Sequence, residues 1–231
     1  DLGILDVLQI FGRAGRPQYE DMGVSYICTS GEKLPHYIES ITSAHPIEST
    51  FLRGIVDALN AEVALGSVTS LDDGISWLGF TYLFTRLCKA PRVYGLDAHD
   101  FEADPTLTQR RRQWITYAAN ILAQHQMIEF DLAAGTLRPT NMGRIASRYY
   151  LSHKTVGIFH ERLRNNLVEA DALSLMSRAA DFDQIPLRES EEEELTSLLE
   201  SVPCEVDGGT ATAPGKVNIL LQAHISYLYV D

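Results

Sequence analysis

The stretch Gln9-Ile10-Phe11-Gly12-Arg13-Ala14-Gly15-Arg16-Pro17 sets two guanidinium groups three residues apart among glycines, directly behind an apolar run. Arginine stays charged at physiological pH and donates several hydrogen bonds from one planar fork, so a pair of arginines suits a phosphate group. Glycine lacks a Cβ and lets the backbone come close to such a ligand. The plain structural alternative is a solvated Arg/Gly turn that ends a helix. The fuller pattern Gln-x-x-Gly-Arg-Ala-Gly-Arg-Pro is more specific than a bare Gly-Arg-x-Gly-Arg and shifts the balance toward anion recognition.

Other chemistries find little support. The seven histidines show no H-x-x-x-H or H-E-x-x-H spacing, and no G-x-S-x-G elbow occurs, so neither a metallohydrolase nor a serine hydrolase is indicated. Cys28, Cys88 and Cys204 lie far apart without a C-x-x-C pair, which supports neither a zinc site nor a disulfide framework. They are expected to be buried or half-buried small apolar residues, in a reducing nuclear or cytoplasmic compartment. The run Glu191 to Glu194, with Glu189 upstream, lacks the alternating spacing and glycine turn of a metal loop and reads as a solvated first helical turn. No metal ligands are assigned.

Nineteen basic against 31 acidic residues give a formal net charge of -12. That balance argues against wholesale charge-driven binding to nucleic acid, whose affinity comes mainly from clustered Lys and Arg; any such contact must be local. No run of eighteen apolar residues and no basic-then-apolar leader is present, so no membrane partner is expected. The chain starts without Met and with apolar residues already at helical spacing, and it reads as a piece of something longer.

The elements that must position the arginines follow from apolar periodicity. Ile4, Leu5, Val7, Leu8 and Phe11 predict a short amphipathic helix. Gly23 to Thr29 has the β-branched and aromatic content of a buried strand, and Leu34, Tyr37, Ile38 and Ile41 predict another helix. This alternation is the last part of an α/β lobe. Beyond His45-Pro46 the strand signal fades. Pro46 to Ser49 reads as a helix start feeding Phe51, Ile55, Leu59 and Val63. Ser70 and Asp73 suggest a capping box for a helix running to Leu87, with Ile75, Leu78, Tyr82 and Leu83 inside. Asp104-Pro105 reads as the cap of a helix carrying Leu107, Trp114, Ile115, Ala118, Ile121 and Leu122, with Arg110, Arg111 and Arg112 crowding its start. Met127 to Pro139 predicts a β-hairpin, and a further helix follows from Thr140.

Helices followed by a two-stranded wing make a winged-helix module. Such modules bind DNA through a recognition helix or serve as brackets between larger domains, and the acidic chain favours the bracket. Thr155 onward is helical again, with Val156, Phe159 and Leu163 on one stripe and Leu173, Leu175, Met176 and Phe182 on another. Val206 to Gly215 predicts a mobile loop, and one more helix begins at Lys216.

The Gln9 to Pro17 pattern resembles motif VI of the superfamily-two nucleic-acid helicases, with Gln9, Gly12, Arg13, Gly15 and Arg16 matching position by position. Pro46-Ile47-Glu48-Ser49, Leu59-Asn60-Ala61-Glu62-Val63, Trp77 to Tyr82 and Gly143 to Tyr150 resemble, in order, the group that joins two RecA-like lobes to a winged helix and a helical Sec-type domain. The resemblance implies a mostly α chain in three parts. Residues 1–46 would be the C-terminal remnant of the second RecA-like α/β lobe, 47–147 a winged-helix domain with a hairpin wing, and 148–231 the start of a Sec-type helical bundle.

It also implies an ATP-dependent helicase, typically 3′ to 5′, that uses ATP and Mg²⁺ and acts on an RNA or DNA strand, commonly within a multi-subunit complex. Arg13 and Arg16 would be the catalytic arginines, and Gln9, Gly12, Arg13 and Arg16 would contact the nucleotide. No residue is assigned to nucleic acid. There is no G-x-x-x-x-G-K-[ST] loop and no Asp-Glu pair in the sequence, so the phosphate cradle and the Mg²⁺ carboxylates are expected from a first RecA-like lobe outside it, and the chain alone should be inactive. Ser226 to Asp231 departs from the family pattern. The competing reading is a non-enzymatic winged-helix and helical scaffold that binds protein or nucleic acid; a transcription regulator would need a basic face that the charge disfavours.

Overall fold

The computed structural model describes residues 4–15, 18–19, 22–42 and 47–230. The chain divides into two compact units, Asp1–Glu48 and Ser49–Asp231, each with its own packing. In the first, helix α1 (Ile4–Phe11) packs against α2 (Leu34–Thr42), and among the described side chains Val7 and Tyr37 are buried. Residues 22–30 have no regular secondary structure and, among the described residues, join no sheet, so the strand expected over Gly23 to Thr29 is not formed. A parallel-sheet strand takes its stability from ladder partners on either side, and the described residues of this unit provide none.

The second unit opens with a 3-10 turn at Phe51–Gly54 that leads into α3 (Ile55–Leu65). Residues 47–50 are not helical, so the helix begins later than the Pro46 signal suggests; Pro46 itself lies outside the described residues. Helix α4 (Leu71–Gly79) carries the expected capping box, with Asp73 N–H donating to Ser70 Oγ at 3.1 Å and Ser70 N–H to Asp73 Oδ2 at 3.0 Å. The single helix expected to reach Leu87 is two. Thr81 Oγ1 donates to the Leu78 carbonyl at 2.7 Å and accepts from Phe84 N–H at 3.4 Å, ending α4 and capping α5 (Tyr82–Lys89). Tyr82 consequently stands exposed rather than inside.

A short helix α6 (Ala98–Ala103) precedes α7 (Thr108–Gln124). Asp104 is not the residue adjoining α7, because the chain first turns through Leu107 in a left-handed conformation (φ 54°). Its carboxylate still caps α7 from a distance, accepting from the N–H groups of Thr108 (2.9 Å), Gln109 (2.7 Å) and Arg110 (3.2 Å). These are first-turn donors that a helix cannot satisfy internally.

The wing is the antiparallel pair β1 (Ile128–Asp131) and β2 (Thr136–Pro139), in which Ile128 faces Pro139 and Phe130 faces Leu137. A third short segment joins it: Leu137 N–H donates to the Thr69 carbonyl and Leu71 N–H to the Gly135 carbonyl, both at 2.8 Å. Helices α3, α4 and α7, the wing and α8 (Asn141–Tyr149) enclose one core built on Leu59, Val63, Leu78, Ile115, Leu122, Met127 and Leu137. Gly143 makes the α8 packing possible, since a Cβ there would fall 2.1 Å from the Met127 carbonyl oxygen.

Helices α9 (His153–Arg162), α10 (Glu169–Ser177), α11 (Glu192–Ser201) and α12 (Ala213–Ile225) complete the unit. Leu195 and Leu198 of α11, Val206, and Ile219 and Ala223 of α12 form an apolar core of their own. Residues 206–215 are built tightly rather than as a free loop. Val206 is buried, Gly208 and Gly209 take positive φ, and a Cβ on Gly215 would lie 2.0 Å from the Gly209 carbonyl oxygen. Leu163 and Met176, expected inside, are exposed, and so are Cys28 and Cys88, whereas Cys204 is half-buried. Cys204 is pinned instead by Gln222, which accepts from its N–H at 2.8 Å and donates to its carbonyl at 3.2 Å.

Candidate functional site

The arginine segment follows directly from the end of α1. There the helix tightens: Gly12 N–H still reaches the Leu8 carbonyl at 2.9 Å, but Arg13 and Ala14 N–H reach back only three residues, to Ile10 and Phe11 at 3.1 and 3.0 Å. Gln9, Gly12 and Arg13 are all exposed, while Val7 two residues earlier is buried. Gln9 and Arg13 therefore come together at one exposed helix end, one turn apart. Arg16 lies outside the described residues. Gly15 is half-buried, and the backbone at Ala14 and Gly15 is approached closely by Gly23, where a Cβ would fall 2.3 Å from the Ala14 carbonyl oxygen. The exposed donors suit a phosphate. Among the described residues no group of three or more His, Cys, Asp or Glu could hold a metal ion.

Three arginines at the head of α7 were the other candidates for chemistry, and each is engaged within the fold. Arg111 points inward. Its Nη1 donates to the Ile75 carbonyl of α4 at 2.6 Å and its Nη2 to the Thr106 carbonyl at 3.1 Å, with the guanidinium 4.8 Å over the Phe84 ring of α5. Arg112 pairs with Asp72 at 2.7 Å, and Arg110 lies 3.8 Å from Asp100. Of the three, Arg111 is the one turned inward between α4 and α5, while Arg110 and Arg112 make solvent-exposed ion pairs.

The seam between winged helix and C-terminal helices rests on polar groups that sequence reasoning did not single out. Asp57 of α3 accepts from His153 N–H at 2.6 Å and sits 3.0 Å from His153 Nδ1, tying α3 to the start of α9. The His125 ring stacks on His153 with centroids 6.0 Å apart and 17° between planes, over Gly157, where a Cβ would stand 2.8 Å from His125 Nε2. Burial, and then the neighbouring His153, push the His125 pKa below its ordinary value. Thr155, buried at the next turn, donates to Asp181 Oδ2 at 2.6 Å and accepts from Ala180 N–H at 3.0 Å. On α12, the buried Lys216 ammonium donates to the Pro186 carbonyl at 2.9 Å and to Glu191 Oε2. That hydrogen bond holds the Glu191 carboxyl below the usual range. Glu191 is thus a partner of a buried cation rather than part of a solvated run. These pairings join residues 25 to 96 positions apart, and no local pattern announces them.

Three helices, a two-stranded wing and a following helical bundle define a winged-helix protein with a Sec-type helical domain, and both parts match known families. Residues 48–123 match the Winged Helix-turn-helix domain and residues 139–231 the Sec63 Brl domain. Over the whole chain the sequence is similar to helicases of this architecture. It is 44% identical over 233 residues to Activating signal cointegrator 1 complex subunit 3 of Bos taurus, covering 100% of the chain. It is 46% identical over 228 residues to the RQC trigger complex helicase SLH1 of Saccharomyces cerevisiae and 40% identical over 232 residues to the DExH-box ATP-dependent RNA helicase DExH14 of Arabidopsis thaliana. The chain spans only 10%, 12% and 11% of the length of these three relatives.

Proposed function

We propose that this chain is part of an ATP-dependent nucleic-acid helicase, translocating 3′ to 5′, in which it supplies the arginine wall of the ATP site and the winged-helix bracket behind it. The observation that carries this reading is the full-length similarity to helicases, together with Gln9 and Arg13 exposed side by side at the end of α1. Residues 1–46 belong to the second RecA-like lobe, 47–147 to the winged helix and 148–231 to the Sec-type domain. ATP supplies the phosphoryl group whose transfer to water drives movement. Arg13 and Arg16 donate to the terminal phosphate and offset its charge, a role worth on the order of 10³ to 10⁵ in rate for arginines of this kind. Gln9 and Gly12 help to place the nucleotide. Mg²⁺ is held by carboxylates of a first lobe outside this sequence, and the chain by itself does not turn over ATP. The strand is RNA or DNA, the setting a multi-subunit complex, and the compartment the nucleus, the cytoplasm or both.

The test uses the full-length protein. Arg16→Ala and Arg13→Ala should each lower strand-stimulated ATP hydrolysis by about 10³-fold or more while leaving far-UV circular dichroism and nucleotide affinity largely intact. Turnover within a factor of three of the parent's would remove both residues from the ATP site.

A further inference from the structure

The arginine segment leans on a glycine that lies outside its own pattern. In the first unit the backbone of Gly23 rests against Ala14 and Gly15, the two residues that separate Arg13 from Arg16 in the sequence. A Cβ on Gly23 would fall 2.3 Å from the Ala14 carbonyl oxygen, 2.6 Å from its carbonyl carbon and 3.0 Å from the Gly15 nitrogen. All three are backbone atoms, so none can turn aside as the end of a side chain does. The reverse does not hold: a Cβ on Gly15 would meet Gly23 only at 3.7 Å, an ordinary contact. Neither glycine takes a positive φ, and the demand at residue 23 is therefore for space rather than for a left-handed backbone. The contact begins where α1 ends. Arg13 and Ala14 N–H close the helix onto Ile10 and Phe11, and from the Ala14 carbonyl onward the chain lies against Gly23.

We propose that Gly23 is a positioning residue for ATP hydrolysis: it sets the path of the backbone between Arg13 and Arg16, and through it the place of their guanidinium groups at the terminal phosphate. The proposal rests on the helicase reading of those two arginines. Any residue with a Cβ must open the contact by about 1 Å to reach ordinary van der Waals distance, and a misplacement of about 1 Å can cost about 10²-fold in rate. Which side yields does not matter. If Ala14 moves, Arg13 moves with it through their shared peptide bond; if residues 22–24 move outward, the link between the arginines loses its support. An arginine that offsets charge on a departing phosphoryl group acts mainly in the transition state. The loss therefore falls on kcat rather than on nucleotide affinity.

The experiment measures strand-stimulated ATP hydrolysis by the full-length protein carrying Gly23→Ala, Gly31→Ala, Arg13→Ala, or Gly23→Ala together with Arg13→Ala. Gly23→Ala should lower kcat by about 10²-fold, with KM for ATP within about a factor of three of the parent's. Gly31→Ala is the control, an exposed glycine of the same unit where a Cβ would meet nothing within 4 Å, and it should turn over like the parent. Once Arg13 is gone, Gly23→Ala should cost much less than it does alone, because a contribution already lost cannot be lost again. A merely destabilised lobe would not give that coupling. Parent-like kcat in Gly23→Ala, a rise in KM in place of the fall in kcat, a collapse of nucleotide binding, or strict additivity with Arg13→Ala would each overturn the proposal. Unchanged turnover in Arg13→Ala would sink the helicase reading beneath it, whereas a loss in Arg13→Ala beside a parent-like Gly23→Ala would sink this inference alone.

Discussion

Arg111→Ala separates a bracket from a recognition helix in one measurement. The guanidinium makes two well-formed charged hydrogen bonds, to the Ile75 and Thr106 carbonyls at 2.6 and 3.1 Å, and lies 4.8 Å over Phe84. A hydrogen bond from a charged group contributes about 1.5 to 3 kcal/mol, and a cation over an aromatic face about 0.5 to 1 kcal/mol. Discounting for the solvent that reaches this half-buried group, the substitution should cost about 2 to 4 kcal/mol. With an m-value of roughly 2 to 3 kcal/mol/M, that moves the urea midpoint of the 231-residue chain down by about 1 M. Arg112→Ala serves as the internal comparison. Its bond to Asp72 joins side chains 50% and 82% exposed, and a pair of that kind contributes under about 1 kcal/mol. Arg111→Lys should lose most of what Arg111→Ala loses, because an ammonium cannot span two carbonyls and a ring face at once. Equal midpoints for the Arg111 and Arg112 variants, accompanied by weaker oligonucleotide binding in the Arg111 variant, would refute the clamp and return α7 to the recognition role.

Gly143→Ala should destabilise the winged helix by about 2 kcal/mol despite the gain in helix propensity, since its Cβ would meet the Met127 backbone at 2.1 Å and backbone cannot rotate aside; a raised melting temperature would contradict the packing described. His125, depressed below its ordinary 6.5 by burial and by His153, takes up its proton more readily in the unfolded chain. Unfolding free energy should therefore be fully held above about pH 6.5 and fall as pH drops toward the folded pKa, a slope that urea titrations at several pH values should show and that His125→Gln should remove. Glu191 has the acidic counterpart: its folded pKa lies below the ordinary 4.5 because of Lys216, so its contribution is present above that value and lost as pH falls through the folded pKa. Glu191→Gln should flatten the acid limb of the stability profile, and an unchanged limb would deny the pair a part in it.

What the sequence made legible is local. The helix α1, the Ser70/Asp73 capping box, the wing with its alternating Ile128 and Phe130, and the helix from Thr140 all depend on residues within a few positions of one another, and all are present. The expectations that failed needed distant knowledge. The segment 22–30 has strand composition but lies in a unit whose described residues bring no ladder partner. Asp104 caps a helix from beyond an unforeseen left-handed turn at Leu107. In the candidate site, Gln9, Gly12 and Arg13 could be nominated because motif spacing is itself local, whereas Lys216, Asp57 and His153 became visible only through partners far along the chain.

The triple arginine shows what composition alone leaves open. A run of cations at the head of a helix could contact phosphates, the acidic chain only tilts the reading toward a bracket, and the acceptors that engage the cations lie elsewhere in the fold. One of those acceptors, the Ile75 carbonyl, is 36 residues upstream. The sequence does keep one trace of it. A Cβ at residue 79 would stand 2.9 Å from Arg111 Nη1, so the glycine in Trp77-Leu78-Gly79 leaves room for a guanidinium that has turned inward. Gly79→Ala and Arg111→Ala therefore disturb a single contact from its two sides, and their stability losses should be less than additive when the two changes are combined. Strict additivity would mean that the glycine serves some other purpose and that the inward arginine is held without it.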